Sequence, residues 1–286
     1  MSQLIINADD FGLIDGVTDA IVDCHLSGMV ASATLMTNMS GAEYALKRAF
    51  ELRDLAVGVH LNLTLGRPLS PLKDVKDLVD GSGDFYPSEK QFRNLASRPY
   101  LYGQVRREFQ AQIEWLLDRA YMPSHIDSHH HVLRFLPAAL AGGSLCKAYG
   151  IPAIRSNVHW IQGSQNLDKK KLTGRVSRNV RSLLHSSNSF IWSTFFGLRH
   201  PRYKVFLPSH GLLALNKIYF FREFLRTLPD GISELSIHPG YADSWSKDSA
   251  EMAKIRHLEY QIFSDPLMAE AFRVSGVELI SFKDIH

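Results

Sequence analysis

Residues 4–12 read Leu4-Ile5-Ile6-Asn7-Ala8-Asp9-Asp10-Phe11-Gly12, a short apolar run followed directly by two adjacent carboxylates. A run of this length and composition predicts a buried strand of a parallel sheet, with the acidic pair at its carboxyl end. Catalytic groups collect at that rim in parallel α/β folds. An isolated Asp-Asp pair is more simply explained as a helix cap or a solvated turn, so this pattern needs support from the rest of the chain.

Outward from this strand, segments with strand character alternate with segments of helical periodicity. Strand-like segments lie at 33–36, 56–61, 125–127, 153–155, 233–238 and 277–282, and helix-like ones at 15–28, 42–52, 100–119, 137–149 and 250–263. This alternation predicts an α/β fold with mostly parallel strands, either a barrel or an open doubly wound sheet. The chain has 286 residues, 45% of them hydrophobic. We therefore expect one catalytic domain over residues 1–286.

The stretch His125-Ile126-Asp127-Ser128-His129-His130-His131 is the strongest chemical signal, because it holds four of the 13 histidines. It is internal, which argues against an expression tag, and apolar sequence flanks it, which argues against a surface cluster. Imidazoles and carboxylates are standard ligands of divalent transition metals. On a strand, the first, third and fifth residues would share one face, and a bend after them would redirect the last two histidines.

Two more histidines stand at predicted strand ends. His60 shares a strand face with Asn62 and Thr64, which gives a polar stripe at the same rim. His238 precedes Pro239-Gly240, a dipeptide that favours a turn. Either histidine alone could be a hydrogen-bonded core or turn residue. If the strands are parallel, however, all these groups meet, and two histidines with one carboxylate leave the open coordination positions of a catalytic metal site.

Such a group of side chains suits hydrolysis of an amide or an ester. A second carboxylate could accept a proton from bound water, and another histidine could protonate the leaving group. A metal-dependent phosphoesterase is an alternative, but it would usually need a second metal, for which Asp127 and Asp243 are the few further candidates. A third alternative is a sugar- or lipid-binding protein with a vestigial site.

Charge and cysteine content restrict the class of protein. The 32 basic and 29 acidic residues give a formal charge of +3, so we expect no nucleic-acid partner. Cys24 and Cys146 both lie in apolar contexts, which indicates free thiols in a reducing compartment. No apolar stretch is long enough for a membrane span, and residues 1–10 lack the features of a signal peptide. We expect a soluble cytoplasmic enzyme, with a homodimer as an open possibility.

Residues 160–205 follow no regular pattern and interleave basic with aromatic side chains. We interpret this segment as a variable insertion or a lid over the active site. The alternative is a patch that contacts a partner or a membrane surface.

At these residues the sequence resembles the YdjC/ChbG-like carbohydrate deacetylases, a family that includes the hopanoid-biosynthesis-associated HpnK-type proteins. The resemblance covers nearly the whole chain, through motifs at 7–12, 32–36, 58–64, 66–69, 125–131, 238–241 and 279–282. It implies a (β/α)-barrel-like fold related to polysaccharide deacetylases. It also implies a metal-dependent hydrolase that removes the acetyl group of an N-acetylated sugar or glycolipid, with diacetylchitobiose as the best-known substrate.

Matched motif by motif, the resemblance implies that Asp10, His60 and His129 bind one divalent metal ion, Mg²⁺ or Zn²⁺. Asp9 would be the general base that deprotonates the attacking water. His238 would donate a proton to the departing amine or stabilise the tetrahedral intermediate.

The resemblance assigns supporting roles to the remaining polar residues. His125, Asp127 and His131 would orient the metal ligands. Arg155 would bind a sugar oxygen or the reacting carboxyl group. Asn62, on the same polar stripe as His60, is a candidate for contacts with the substrate or with a metal ligand.

Overall fold

The computed structural model of the protein describes residues 1–156, 188–207, 217–244 and 250–285. Its strands are β1 (Ser2–Phe11), β2 (Ser32–Leu35), β3 (Ala56–Leu61), β4 (His125–Ser128), β5 (Ala153–Ile154), β6 (Tyr203–Val205), β7 (Gly231–Ile237) and β8 (Glu278–Leu279). Its helices are α1 (Asp15–Leu26), α2 (Ala42–Glu51), α3 (Ser88–Ser97), α4 (Tyr102–Leu117), α5 (Leu136–Tyr149), α6 (188–196), α7 (Lys217–Arg226), α8 (Ala250–Phe263) and α9 (Pro266–Arg273).

These strands form one sheet in the order β5-β4-β3-β2-β1-β7-β6, and β8 pairs with the first residues of β1. All of their pairings are parallel. The sheet curls strongly. Arg155 directly follows β5 at one end of the strand order, yet its Nε lies 2.6 Å from Oε1 of Glu234 on β7, near the other end. The fold is therefore a (β/α)-barrel-like arrangement of parallel strands, and the open-sheet alternative is wrong.

Alternation along the strands separates two cores. Leu4 and Ile6 of β1 belong to the main apolar core between the sheet and the helices. Ile5 faces the other way and packs with Ala153 and Phe282 in a small apolar cluster. Because side chains alternate between the two faces of a strand, this small cluster forms the floor of the barrel interior.

Above the apolar floor the barrel interior is charged. Three carboxylates and two basic side chains lie there almost without solvent exposure, namely those of Asp9, Asp127, Glu234, Arg155 and Lys204. Buried charges are tolerated when they are paired, so the charges of these five side chains must nearly balance. They lie directly below the polar rim of the barrel.

The histidine-rich stretch changes conformation where a bend was predicted. β4 ends at Ser128, and a 3₁₀ segment, His129–Arg134, follows. His130 and His131 have φ values of +50° and +54°, in the left-handed region that non-glycine residues rarely adopt. The predicted redirection of these two histidines is thus confirmed.

The insertion or lid predicted at 160–205 is described only from residue 188 onward, and its residues 160–187 lie outside the described part of the chain. In α6, Trp192 is fully buried and its Nε1 donates a hydrogen bond to the carbonyl oxygen of Ala139 on α5. Over the described residues, no helix is long and apolar enough to span a membrane.

Candidate active site

Several strand ends deliver the polar residues that the sequence singled out. β1 carries Asp9 and Asp10 near its end, β3 carries His60, and His129 and His238 directly follow β4 and β7. Because these strands are parallel, their carboxyl ends lie on one rim of the barrel. The chemistry-bearing residues of four distant segments are therefore gathered at one site.

One carboxylate and two imidazoles converge on a single point of this rim. Oδ1 of Asp10 lies 2.9 Å from Nδ1 of His129 and 3.2 Å from Nε2 of His60. All three residues are buried, and their ligand atoms lie within 4.8 Å of one another. This donor set, which we call the ligand cluster, suits a divalent transition metal.

The ring of His60 is oriented from behind by Asp127. Nδ1 of His60 lies 2.6 Å from Oδ1 of Asp127, and Thr34 donates to Oδ2 at 3.0 Å. A carboxylate on the far nitrogen of an imidazole directs the other nitrogen toward a metal. Burial alone would lower the pKa of His60, but Asp127 and Asp10 raise it to about 10. The site thus attracts a cation, and metal binding would release this proton.

Asp10 has a strained backbone, with φ at +66°. Its second oxygen, Oδ2, accepts a hydrogen bond from Nη2 of Arg256 on α8. Burial would raise the pKa of Asp10, but the charges of His129 and Arg256 hold it well below its usual range. Strained residues cluster at functional sites, and here the strain turns the carboxylate toward the two imidazoles.

Asp9 lies beside the ligand cluster and is held by Arg155. Nη1 and Nη2 of Arg155 donate to its two oxygens at 2.7 and 2.5 Å, and Asn7 donates to Oδ1 at 2.9 Å. Nε2 of His238 lies 3.7 Å from Oδ2. Burial would raise the pKa of Asp9, but the charge and hydrogen bonds of Arg155 lower it far below its usual value. Asp9 is therefore ionised at neutral pH.

Arg155 occupies the centre of the barrel interior. Its guanidinium also contacts Asp127 at 2.7 Å and Glu234 at 2.6 Å, and its side chain is only 4% exposed. The expectation that Arg155 binds a sugar oxygen does not agree with this position. Its physical effect is to fix Asp9 and to balance the buried carboxylates.

His238 is the most accessible of the predicted catalytic residues, with a side chain 42% exposed. Its backbone N–H donates to Oε2 of Glu259 on α8, and its Nδ1 lies 3.8 Å from the same oxygen. Desolvation would lower the pKa of His238, but Glu259 and Asp9 raise it. A protonated imidazole that reaches solvent can donate a proton to a leaving group.

His125 does not join this group. Its ring stacks on Phe282 with 3.6 Å between ring centres, and its Nδ1 lies 2.9 Å from Oγ of Ser124. It therefore lies at the apolar floor of the barrel, one layer below Asp127. The expectation that His125 orients the metal ligands does not agree with this position.

Asn62 and His131 also have surroundings of their own. Oδ1 of Asn62 accepts the backbone N–H groups of Thr64 and Leu65 at 2.9 and 3.1 Å, so Asn62 shapes the loop after β3. The ring nitrogens of His131 lie 3.4 and 3.5 Å from Nζ of Lys204 on β6. The charge of Lys204, together with burial, lowers the pKa of His131 well below its usual value.

Among the described residues, four charged side chains that contact the predicted site were missed from sequence, namely those of Lys204, Glu234, Arg256 and Glu259. Glu234 could have been found, because it alternates with Ser236 and His238 along β7 and so shares their face. The two residues on α8 carry no local signal, since helical periodicity does not indicate which turn reaches the rim.

A cavity of about 880 Å³ opens onto the ligand cluster. Asp9, Asp10, His60, His129 and His238 contribute to its lining. Apolar side chains line it further out, including Leu13, Ile14, Met39, Leu65, Phe92, Met252 and Ile255. Its volume lies in the range of roughly 300–1,000 Å³ that is typical of small-molecule sites, so it can admit a sugar.

The chain is similar to known proteins over nearly all of its length. The family model described as YdjC-like protein matches residues 3–273. A carbohydrate deacetylase of Halalkalibacterium halodurans is 37% identical over 268 residues, covering 94% of this chain and 98% of the relative. A carbohydrate deacetylase of Clostridium beijerinckii is 30% identical over 287 residues, covering 99% of this chain and 100% of the relative.

Among solved structures, one described as a cellobiose-phosphate cleavage protein of Enterococcus faecalis has a similar fold. Its TM-score is 0.75 at 24% identity, with 99% of this chain and 98% of that chain covered. The family model and both relatives extend over nearly the full chain, and the residues that the family model matches include those of the ligand cluster. The chain therefore belongs to the YdjC-like family.

Proposed function

We propose that this protein is a metal-dependent carbohydrate deacetylase that hydrolyses the acetamide group of an N-acetylated sugar. The observation that carries the proposal is the convergence of Asp10 Oδ1, His60 Nε2 and His129 Nδ1 at the end of a small-molecule cavity. The names of the relatives, which are carbohydrate deacetylases, support the reaction class.

The ligand cluster fits a divalent metal by the chemistry of its donors. Zinc accepts two imidazoles and a carboxylate, whereas magnesium prefers oxygen ligands and water, so we propose Zn²⁺ or a similar transition metal before Mg²⁺. When bound, such an ion supplies Lewis acidity to the acetamide carbonyl and lowers the pKa of water.

Two residues of the chain move protons in the proposed reaction. Asp9, which Arg155 keeps ionised and in place, accepts the proton of the attacking water. His238, whose raised pKa favours its protonated form, donates a proton to the departing sugar amine. Together these transfers exchange the acetyl group for a proton, and the products are acetate and a free amine.

The substrate, the location and the assembly complete the proposal. Either an N-acetylated oligosaccharide or a glycolipid headgroup presents the required acetamide. A cytoplasmic location is supported by Cys24 and Cys146, which are buried free thiols. One catalytic domain over residues 1–286 and a homodimer stay predictions, and light scattering would test the second.

The decisive experiment is acetate release from a panel of N-acetylated sugars, after the protein is stripped with a chelator and reconstituted with Zn²⁺, Mn²⁺ or Mg²⁺. We expect acetate release that depends on the metal. Release of phosphate from a generic phosphate ester, without acetate, would instead establish the phosphoesterase alternative. Metal-independent sugar binding without turnover would point to the vestigial site.

Replacement of one cluster ligand separates metal binding from folding. We expect His129→Ala to lose the bound metal and activity together, because one of three ligands is removed. His125→Gln is the matched control from the same motif, and it should keep one metal per chain. Metal content by mass spectrometry is the readout, and stoichiometric metal in His129→Ala would contradict the ligand role.

A further inference from the structure

His130 has no assigned function, yet it lines the cavity directly beside the ligand cluster. Its ring centre lies 4.0 Å from that of His129, and the two planes are inclined by 35°. Nδ1 of His130 lies 3.0 Å from Oγ1 of Thr64, which fixes the ring. Among the described residues, no hydrogen bond to Nε2 is made, and the side chain is exposed toward the cavity.

The backbone of His130 is also strained. Its φ of +50° lies in the left-handed region that non-glycine residues seldom adopt, and residues in this region cluster at functional sites. Thr64 is in turn positioned by Asn62, which accepts the backbone N–H of Thr64 at 2.9 Å. The loop after β3 and the turn after β4 therefore cooperate to hold this imidazole at one place in the cavity wall.

From this placement we infer that His130 binds the sugar hydroxyl next to the reacting acetamide. Nε2 is a donor or an acceptor depending on the tautomer, and a hydroxyl satisfies either, whereas an amide N–H can only donate. In a 1,4-linked 2-acetamido sugar whose C1 is in a glycosidic bond, the carbon next to C2 that carries a free hydroxyl is C3. The inference rests on the proposed function, and it makes His130 a specificity-determining residue.

The test combines two proteins with two substrates. The wild-type protein and His130→Phe, each loaded with Zn²⁺, are assayed for acetate release from diacetylchitobiose and from its analogue lacking the C3 hydroxyl. The wild type should lose roughly three- to tenfold in kcat/KM on the deoxy analogue, as expected for one hydrogen bond. His130→Phe should lose a similar factor on the parent sugar and no further factor on the analogue.

A second variant and a second readout keep the test valid. His130→Asn suits the left-handed backbone but is too short to reach the sugar, so it should behave like His130→Phe if the latter folds poorly. Both variants should retain one metal per chain. If the variant lowered kcat/KM by the same factor on the analogue as on the parent sugar, the inference would be overturned. Loss of the metal from either variant would also overturn it.

Titration calorimetry with the same two sugars distinguishes the inference from the proposed function. Coupled losses in Kd between His130 and the C3 hydroxyl support the inference even if no acetate is released, an outcome that would refute only the deacetylase. Acetate release without any coupling refutes only the role of His130.

Discussion

At the scale of single residues, Asp9 and Asp10 are sequence neighbours with different partners. Period-2 alternation places neighbouring strand residues on opposite faces, so spacing alone could not choose between them. The positive φ of Asp10 turns both carboxylates to the same rim, where one contacts the imidazoles and the other contacts Arg155. The sequence pattern therefore predicted that both carboxylates lie at this rim. Which carboxylate contacts the imidazoles and which contacts Arg155 depends on the backbone conformation of Asp10, and the pattern does not reveal that conformation.

Asp9→Asn should keep the metal while turnover falls by roughly a hundredfold or more, because the amide cannot accept the proton. Acetate release and metal content are measured on the same sample. Asp15→Asn, which removes an exposed carboxylate at the start of α1, is the control. Turnover near the wild-type value would remove Asp9 as the general base.

The buried ring of His125 should make the free energy of unfolding fall as the pH is lowered below neutrality. Burial lowers its pKa to about 3, against a usual value near 6.5. Between those values the unfolded chain binds a proton that the folded chain does not, so unfolding becomes easier as the pH falls below about 6.5. From pH 7 to 5.5 this group should account for a loss of about 1 kcal/mol, which urea unfolding can measure.

The variant His125→Gln should lack that part of the pH dependence. His200→Gln, at a half-buried histidine outside the barrel floor, serves as the control for removal of a histidine. An identical pH dependence in wild type and His125→Gln would show that the buried ring is not the source.

At the scale of elements, α8 completes the site. It brings Arg256 to Asp10, 246 positions away in sequence, and Glu259 to His238. The periodicity of residues 250–263 predicted this helix with the observed bounds, but a helical pattern says nothing of its partner strands. The strand-end residues could be predicted because a local pattern marks where each strand ends. Arg256 and Glu259 could not, because only long-range contacts bring them to the site.

Glu259→Gln should shift the pH dependence of turnover. The carboxylate raises the pKa of His238, so the protonated acid persists to higher pH, and activity falls as the pH rises through that pKa. The glutamine side chain can still accept the hydrogen bond from the backbone N–H of His238, but it carries no negative charge. The alkaline limb of kcat should therefore move to lower pH.

Glu251→Gln, at an exposed position of the same helix, is the matched control and should leave the profile in place. If the alkaline limb of Glu259→Gln coincides with that of the wild type, Glu259 does not tune His238.

At the scale of the whole molecule, the barrel is held from inside by ions. The alternation of strands and helices predicted parallel strands but did not distinguish a barrel from an open sheet. The curl is set where Arg155, after β5, joins Glu234 on β7 and Asp9 on β1. This closure could not be predicted, because a lone arginine after a strand does not reveal three carboxylates from other strands.

Arg155→Met should destabilise the fold by about 3–5 kcal/mol, because three buried carboxylates lose their shared cation. Arg226→Met breaks an exposed pair with Glu223 and should cost less than about 1 kcal/mol. Urea unfolding compares them, with Arg155→Lys as the substitute if Arg155→Met does not fold. A loss below about 1 kcal/mol for Arg155→Met would contradict the ionic closure.

The position of β1 also determines when the barrel can assemble during synthesis. Ser2 pairs with Gly231 and Gln3 with Glu278, so β1 can complete its pairing only after β7 and β8 have been made. Non-local pairing of this kind slows folding and leaves apolar edges open to misassembly. A nascent chain therefore carries the β7-facing edge of Leu4-Ile5-Ile6 unpaired until residues 231–237 have been made.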